Sequence, residues 1–204
     1  MLSANKPLVE FGKLDKCLSK YGKHFECDND KEIIYSSDIN SDDTFIILNG
    51  VISLRRGENV LVGIAQAPFI MGLSDGVMKT DIQYRLITES DCMGYHLPAS
   101  QTINIIEECQ LWREAFCWLA WQNSMLELRD LQLIGNNSYD QILISMMKWD
   151  DVLRSRIGVM NYIHQRTRIS RSVVAEVLAA LRKGGYIEMN KGKLVSINRL
   201  PFEY

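Results

Sequence analysis

Between Lys31 and Leu97 apolar residues come in short runs parted by turn formers: EIIYS, TFIILNGVISLRR, VLVGIA, FIMGL, YRLITES and CMGYHL. Asn40 to Asp43, Asn49-Gly50, Gly57-Glu58-Asn59 and Ser74-Asp75-Gly76 interrupt them. β-branched and aromatic side chains suit a pleated, half-buried surface, while Gly, Asn and Asp accept the backbone angles of tight turns. The spacing predicts several short antiparallel strands in a small barrel or sandwich.

After Pro98 the period changes. Ala99 to Glu108 fits one helix, and a longer one is predicted from Gln110 to Ile134, stopped by Gly135-Asn136-Asn137-Ser138. In the long helix Trp112, Leu119, Leu126 and Leu133 recur every seven residues, Ala115, Trp118, Met125 and Leu128 widen the stripe, and Phe116 and Trp121 mark a second apolar face. A helix apolar on two sides buries itself twice. One face covers the β-region and the heptad stripe takes the same helix of a second subunit, giving a twofold homodimer; packing of both faces inside one subunit is the alternative. Beyond the breaker, helices are predicted at Tyr139 to Leu153, at Val159 to Arg166 and from Ser170, where Val173, Val174, Val177, Leu178 and Leu181 share one face. Gly184-Gly185 ends the last helix, and YIEMNKGKLVSI gives two short strands around Asn190-Lys191-Gly192-Lys193.

Composition removes several classes. The chain has 204 residues, 47% hydrophobic and 24% charged, a size for one large or two small domains and a balance unlike disordered, collagenous or disulfide-stapled chains. No apolar stretch approaches the roughly 18 to 20 residues of a membrane span. The opening MLSANKPLVEFGKLD lacks the pattern of a secretory signal, so a cytoplasmic protein without a membrane partner is expected. Cys17, Cys27, Cys92, Cys109 and Cys117 include no C-x-x-C, and His24, His96 and His164 form no ligand cluster; neither metal nor cofactor is expected.

Charge is where composition points to a partner. The formal net charge is only −2, yet residues 1–137 hold 12 basic and 19 acidic residues, and residues 138–204 hold 11 and 6. From Arg154 to Arg199 there are 10 basic residues against Glu176 and Glu188. A charge run alone also fits a solvated face, but this surplus is the footprint of a module that docks on phosphates. The segment Ser170 to Ile197, SRSVVAEVLAALRKGGYIEMNKGKLVSI, supplies the chemistry: a capped helix presenting Arg171, Ser172, Ala175 and Glu176, then a basic hairpin. A helix N-terminus offers N–H groups and a positive dipole end to phosphate, and an arginine in its first turn reaches both O6 and N7 of guanine. This is the pattern of a winged helix-turn-helix.

The segment resembles the C-terminal domain of the cyclic-AMP receptor protein and FNR superfamily of bacterial transcription regulators, and the order of elements upstream fits the same family over essentially the whole chain. The resemblance implies an α+β protein: an antiparallel, jelly-roll-like β-roll of the cyclic-nucleotide-binding type (residues 1–109), a long dimerisation helix and hinge (110–135), and a winged helix-turn-helix (136–204). It implies double-stranded promoter DNA as partner, with RNA polymerase as a further one. By position Ser170 corresponds to the phosphate-contacting cap, Arg171 to the guanine reader, and Ser172 and Glu176 to base-facing residues; Arg168, Lys191 and Lys193 join the DNA-binding set. His164 and Arg168 stand where the family prefers a small residue and a turn glycine, which leaves the turn before Ser170 open.

The β-roll departs further. Cyclic-nucleotide binders of the family carry F-G-E-[LI] and R-[ST] motifs for ribose and phosphate. Here the turn is FIMGLS, Phe69 to Ser74, and TDIQYRL puts Ile82 and Gln83 at the pair positions, leaving Arg85 as the nearest cation. Burying a phosphate without its cation costs several kcal/mol, so no cyclic nucleotide is expected. The close N-terminal cysteines of FNR-type iron-sulfur sensing are missing as well. The chain is similar to a degenerate enterobacterial branch of regulators of hydrogen peroxide resistance, which implies an oxidative-stress role; Cys17 and Cys27, near Lys16, Lys20 and Lys23, are the candidate redox thiols. A cupin-like enzyme lacks its histidine and carboxylate set. An adaptor of regulator fold, docking through the acidic N-terminal part without touching DNA, is the alternative.

Overall fold

Phe11, Leu14 and Leu18 line one side of the N-terminal helix α1 (Leu8–Leu18), and the β-branched runs that follow form the strands this helix packs upon. In the computed structural model the described residues are 5–32, 43–57, 59–78, 84–133, 137–147, 151–154 and 156–200. The strands are β1 (Lys23–Cys27), β2 (Asp43–Asn49), β3 (Val51–Arg56), β4 (Val60–Gln66), β5 (Phe69–Met71), β6 (Tyr84–Thr88) and β7 (Cys92–Pro98). One sheet has the order β1-β7-β2-β5 and the other β4-β3-β6. Of the predicted strand EIIYS, only Glu32 is described, in an isolated bridge to Ile87; the rest lies outside the described residues.

The predicted run TFIILNGVISLRR becomes two strands because of one residue. Gly50 has φ +101, and a Cβ there would sit 2.4 Å from the Cys92 Sγ and 2.5 Å from the Asp91 carbonyl. Only glycine meets both the left-handed angle and the close approach. Helix α1 and strand β1 were not expected from the sequence. The α1 stripe is short and interrupted by Gly12, and β1 reads KHFEC, too polar to announce a strand; it exists because β7 pairs with it, from Lys23 opposite His96 to Cys27 opposite Cys92.

The core of this part is Phe45, Ile46, Ile47, Ile52, Ile70, Leu86 and Tyr95, closed by α1 and by Trp118. Buried Tyr95 donates its hydroxyl to Asp15 at 2.7 Å, fixing α1 to β7. Helix α2 (Ala99–Glu108) agrees with the expected span, and α3 (Trp112–Leu133) lies within the expected Gln110 to Ile134. Trp118 on α3 donates its indole N–H to the Ile70 carbonyl at 3.1 Å, and Gln122 donates to the same oxygen at 2.8 Å. Phe11, Phe69 and Trp121 surround the Trp118 ring.

Residues 1–57 with 62–127 make one compact unit, and residues 58–61 with 128–204 a second. The second contains α4 (Ser138–Met147), α5 (Asp151–Arg154), α6 (Val159–Thr167), α7 (Arg171–Lys183), β8 (Ile187–Asn190) and β9 (Lys193–Ile197). The single helix expected from Tyr139 to Leu153 is described as α4 and α5, with 148–150 outside the described residues. Buried apolar side chains of this second unit include Ile142, Met146, Leu153, Val159, Tyr162, Ile163, Val174, Leu178, Leu181 and Ile187. Among the described residues no helix is long and apolar enough to cross a membrane.

Candidate nucleic-acid interface

Helix α7 starts where the sequence places a cap. Ser170 has extended backbone angles, φ −58 and ψ 145, and its Oγ accepts from the Val173 N–H at 3.4 Å. This leaves the other N–H groups of the first turn facing outward, in a turn without acidic residues. Val174, Leu178 and Leu181 face inward at helical spacing, so the same geometry turns Arg171, Ser172, Ala175 and Glu176 to solvent. Val173, expected on the buried face, is exposed, and Val177 is half-buried.

The turn before α7 is closed by side chains. Arg168 caps α6 in the left-handed region, φ 66 and ψ 7, with its N–H on the His164 carbonyl at 2.9 Å. That is the conformation a turn glycine would adopt, here carried by an arginine at the steric cost of its Cβ. His164 Nδ1 donates to the Ile169 carbonyl at 2.8 Å; since a carbonyl only accepts, this nitrogen carries the proton. The Thr167 hydroxyl donates to Ile163 O at 2.7 Å and accepts from the Ile169 N–H at 3.2 Å. The two departures from the family pattern, His164 and Arg168, are therefore both parts of the turn.

The wing follows from its turn residues. Asn190 pairs with Lys193, and the two residues between, Lys191 and Gly192, have φ 46 and φ 78, the doubly positive geometry of a tight hairpin. The Val159 N–H donates to the Gly192 carbonyl at 3.3 Å, and the Asn198 side chain to the Gly185 carbonyl at 3.0 Å. Lys191 and Lys193 are both exposed at this anchored tip. Arg166 turns elsewhere: its Nη2 donates to the Gln132 side chain at 3.4 Å.

In the β-roll, Leu73 of the FIMGLS turn is buried, Gly72 has φ +87, and the Thr44 hydroxyl donates to the Gly72 carbonyl at 3.2 Å. Ile82 and Gln83 lie outside the described residues. Arg85 makes a two-pronged ion pair with Glu32, at 2.7 Å and 2.6 Å. Among the described residues no group of His, Cys, Asp and Glu could hold a metal ion.

The heptad residues of α3 have unequal surroundings. Trp112 and Leu126 are 46% and 39% exposed, Leu119 packs partly on the N-terminal core, and Leu133 is 7% exposed. Leu133 belongs to the second compact unit and the other three to the first, so the four heptad positions do not share one environment. Ala115 and Trp118 are buried, and Phe116 is 71% exposed. Phe116 therefore joins Trp112 and Leu126 on the open face, a position that counting in sevens misses.

Cys17 and Cys27 are half-buried and Cys109 is exposed. Burial, then the charge of Asp28, push the Cys27 thiol up, with Lys31 acting the other way; this is opposite to the thiolate character expected of it.

Residues 138–202 match the family described as winged helix-turn-helix DNA binding. The chain is 74% identical to the inhibitor of hydrogen peroxide resistance of Escherichia coli strain K12 and 70% identical to that of Salmonella typhimurium strain LT2, over 100% of both chains in each case. Among solved structures, the c-di-GMP responsive global regulator CLP of Xanthomonas campestris matches with a TM-score of 0.72 at 10% identity, covering 94% of this chain and 99% of that one. A transcriptional regulator of the crp/fnr family from Eubacterium rectale gives 0.69 at 12% identity, covering 91% and 89%. Likeness at such identities is a likeness of fold.

Proposed function

This chain belongs to the family of inhibitors of hydrogen peroxide resistance, and from that membership we propose that it is a homodimeric, sequence-specific DNA-binding transcription regulator linked to the hydrogen peroxide response. It has the fold of the cyclic-AMP receptor protein and FNR regulators with a winged helix-turn-helix DNA-binding domain. The observation that carries the proposal is the outward face of α7, with Arg171, Ser172 and Glu176 beside a capped N-terminus free of acidic residues. In this reading Arg171 reads a base, Ser172 and Glu176 face neighbouring bases, and Ser170, Arg168, Lys191 and Lys193 lie along phosphates.

The division of labour follows the chain: residues 1–109 as a sensor-like or purely structural β-roll, 110–135 as dimer helix and hinge, 136–204 as the DNA reader. Dimerisation is supported by the exposed apolar side chains of α3, which a lone subunit leaves in water. Loss of cyclic-nucleotide binding is supported by the FIMGLS turn, which brings no acid, and by Arg85, whose charge is engaged by Glu32. The protein acts without catalysis, in the cytoplasm, with RNA polymerase as its further partner at the promoter.

Mapping bound fragments across the genome, followed by gel shift of a recovered promoter, tests the reading. Recovered sites should be two-fold symmetric, with half-sites about 34 Å apart, one turn of duplex. Binding that is equal on random and recovered DNA, or recovery of protein partners without any DNA preference, overturns it in favour of an adaptor.

A further inference from the structure

Helix α7 carries two adjacent valines with opposite surroundings. Val174 is fully buried, whereas Val173 is 37% exposed in the first turn. Successive side chains leave a helix about 100° apart, so Val174 holds the core only by turning Val173 away from it. On the side opposite the core, Ser172, Val173 and Glu176 fall within one sector about 100° wide, since positions three and four apart are neighbours on a helix surface. All three are exposed, a hydroxyl, a branched apolar group and a carboxylate side by side.

The valine is held in place by its own backbone. Its N–H is the one that donates to the Ser170 Oγ, at 3.4 Å, so Val173 belongs to the capped turn. A β-branched side chain in a helix keeps essentially one χ1 rotamer. Helical Cα–Cβ bonds tilt toward the N-terminus, the end whose residues meet base edges in a helix-turn-helix. The two methyl groups of Val173 are therefore presented as a stiff apolar surface, with little rotamer freedom left to lose on contact.

The neighbours select what such a surface meets. Glu176, three positions on, brings a negative charge that phosphates repel, and an ionised carboxylate only accepts hydrogen bonds. This sector of α7 is therefore unsuited to the DNA backbone and suited to base edges that offer a donor. In the major groove a carboxylate is matched by the N4 amine of cytosine, and an apolar side chain by the 5-methyl group of thymine.

We propose that Val173 is a specificity-determining residue that packs on the 5-methyl group of a thymine in each half-site, next to a base whose amine faces Glu176. This rests on the reading of α7 as the recognition helix and adds to it a preference that charge and hydrogen bonding do not supply. Uracil pairs as thymine does and shows the same acceptor in the groove, but lacks the methyl. Only an apolar contact tells the two apart, and Val173 is the exposed large apolar side chain of α7.

The test starts with the full chain selecting duplexes from a random-sequence pool, after which deoxyuridine replaces each thymine of the selected half-site in turn. One thymine should stand out, its replacement weakening binding about fourfold, the equivalent of one methyl group left in water. In Val173→Ala, which keeps a strong helix former at the position, the difference between thymine and deoxyuridine there should fall away while discrimination at the base read by Arg171 persists. Deoxyuridine tolerated at every position overturns the proposal and leaves the DNA-reading function standing. So does a selected half-site without thymine, or a methyl preference that Val173→Ala retains unchanged. A pool from which no sequence is enriched overturns the regulator reading, and this contact with it. Because the uracil scan alters only the DNA, a variant that fails to fold does not blunt the test.

Discussion

His164 and Ile169 are joined across the turn of the helix-turn-helix, the imidazole Nδ1 donating to the carbonyl at 2.8 Å. The bond spans Arg168, whose left-handed backbone has no glycine to relieve it. His164→Ala removes the donor and leaves the Ile169 carbonyl to find water. We expect a loss of roughly 1 kcal/mol in stability and a larger relative loss of specific than of non-specific DNA affinity. Thermal unfolding and gel shift check it; unchanged values in both would mean the turn holds without the strap.

Arg171 and the wing lysines should fail differently, although each carries one positive charge. Arg171→Ala should cost roughly 1 to 3 kcal/mol on the preferred site and relax discrimination at one base of each half-site. Lys191→Ala with Lys193→Ala should weaken all sequences alike and flatten the slope of log affinity on log salt by about one unit for each phosphate no longer neutralised. Equal weakening of specific and random DNA by Arg171→Ala would move the reading residue to Arg168 or Arg182.

The unequal burial along α3 separates assembly from folding. Phe116→Glu and Leu126→Glu place charge on the open face and should convert dimer to monomer in sedimentation with little change in melting temperature. Leu133→Ala, at a buried position, should instead cost about 2 to 5 kcal/mol of stability. A dimer that survives both Phe116→Glu and Leu126→Glu would refute this interface.

Tyr95 gives the N-terminal unit an alkaline limit. Burial, then the hydrogen bond and the charge of Asp15, push its hydroxyl far above the ordinary tyrosine range. A folded-state pKa raised this way contributes stability fully present below the unfolded value of about 10 and lost as pH rises beyond it. Tyr95→Phe should cost on the order of 1 to 3 kcal/mol at neutral pH and blunt the loss of stability above about pH 10. Denaturant melts at pH 7 and above pH 10 would reveal it, and parallel curves for the two proteins would contradict it.

Calorimetry with cyclic AMP or cyclic GMP should give no heat of binding up to about millimolar ligand. A micromolar dissociation constant would overturn the reading of the β-roll as lacking a nucleotide site and make Arg85, freed from Glu32, the first side chain to substitute.

Local patterns carried the larger elements into view from the sequence. The period of the apolar positions marked α2, α3 and α7, and Ser170, Gly184 and the Lys191-Gly192 turn marked their ends and the wing, because caps and tight turns are chosen by residues a few positions apart. The basic run from Arg154 to Arg199 and the outward set Arg171, Ser172 and Glu176 follow from the same local rules.

What needed the tertiary structure depended on residues far apart in the chain. Strand β1 exists through its pairing with β7, and helix α1 through a core that Trp118 closes from α3. Arg85 is claimed by Glu32, 53 positions away, which no spacing rule foresees. A heptad names four residues of α3 alike, but only tertiary packing sets Leu133 inside and Phe116 outside. Backbone preference is a property of neighbours in sequence; burial and charge pairing are properties of neighbours in space.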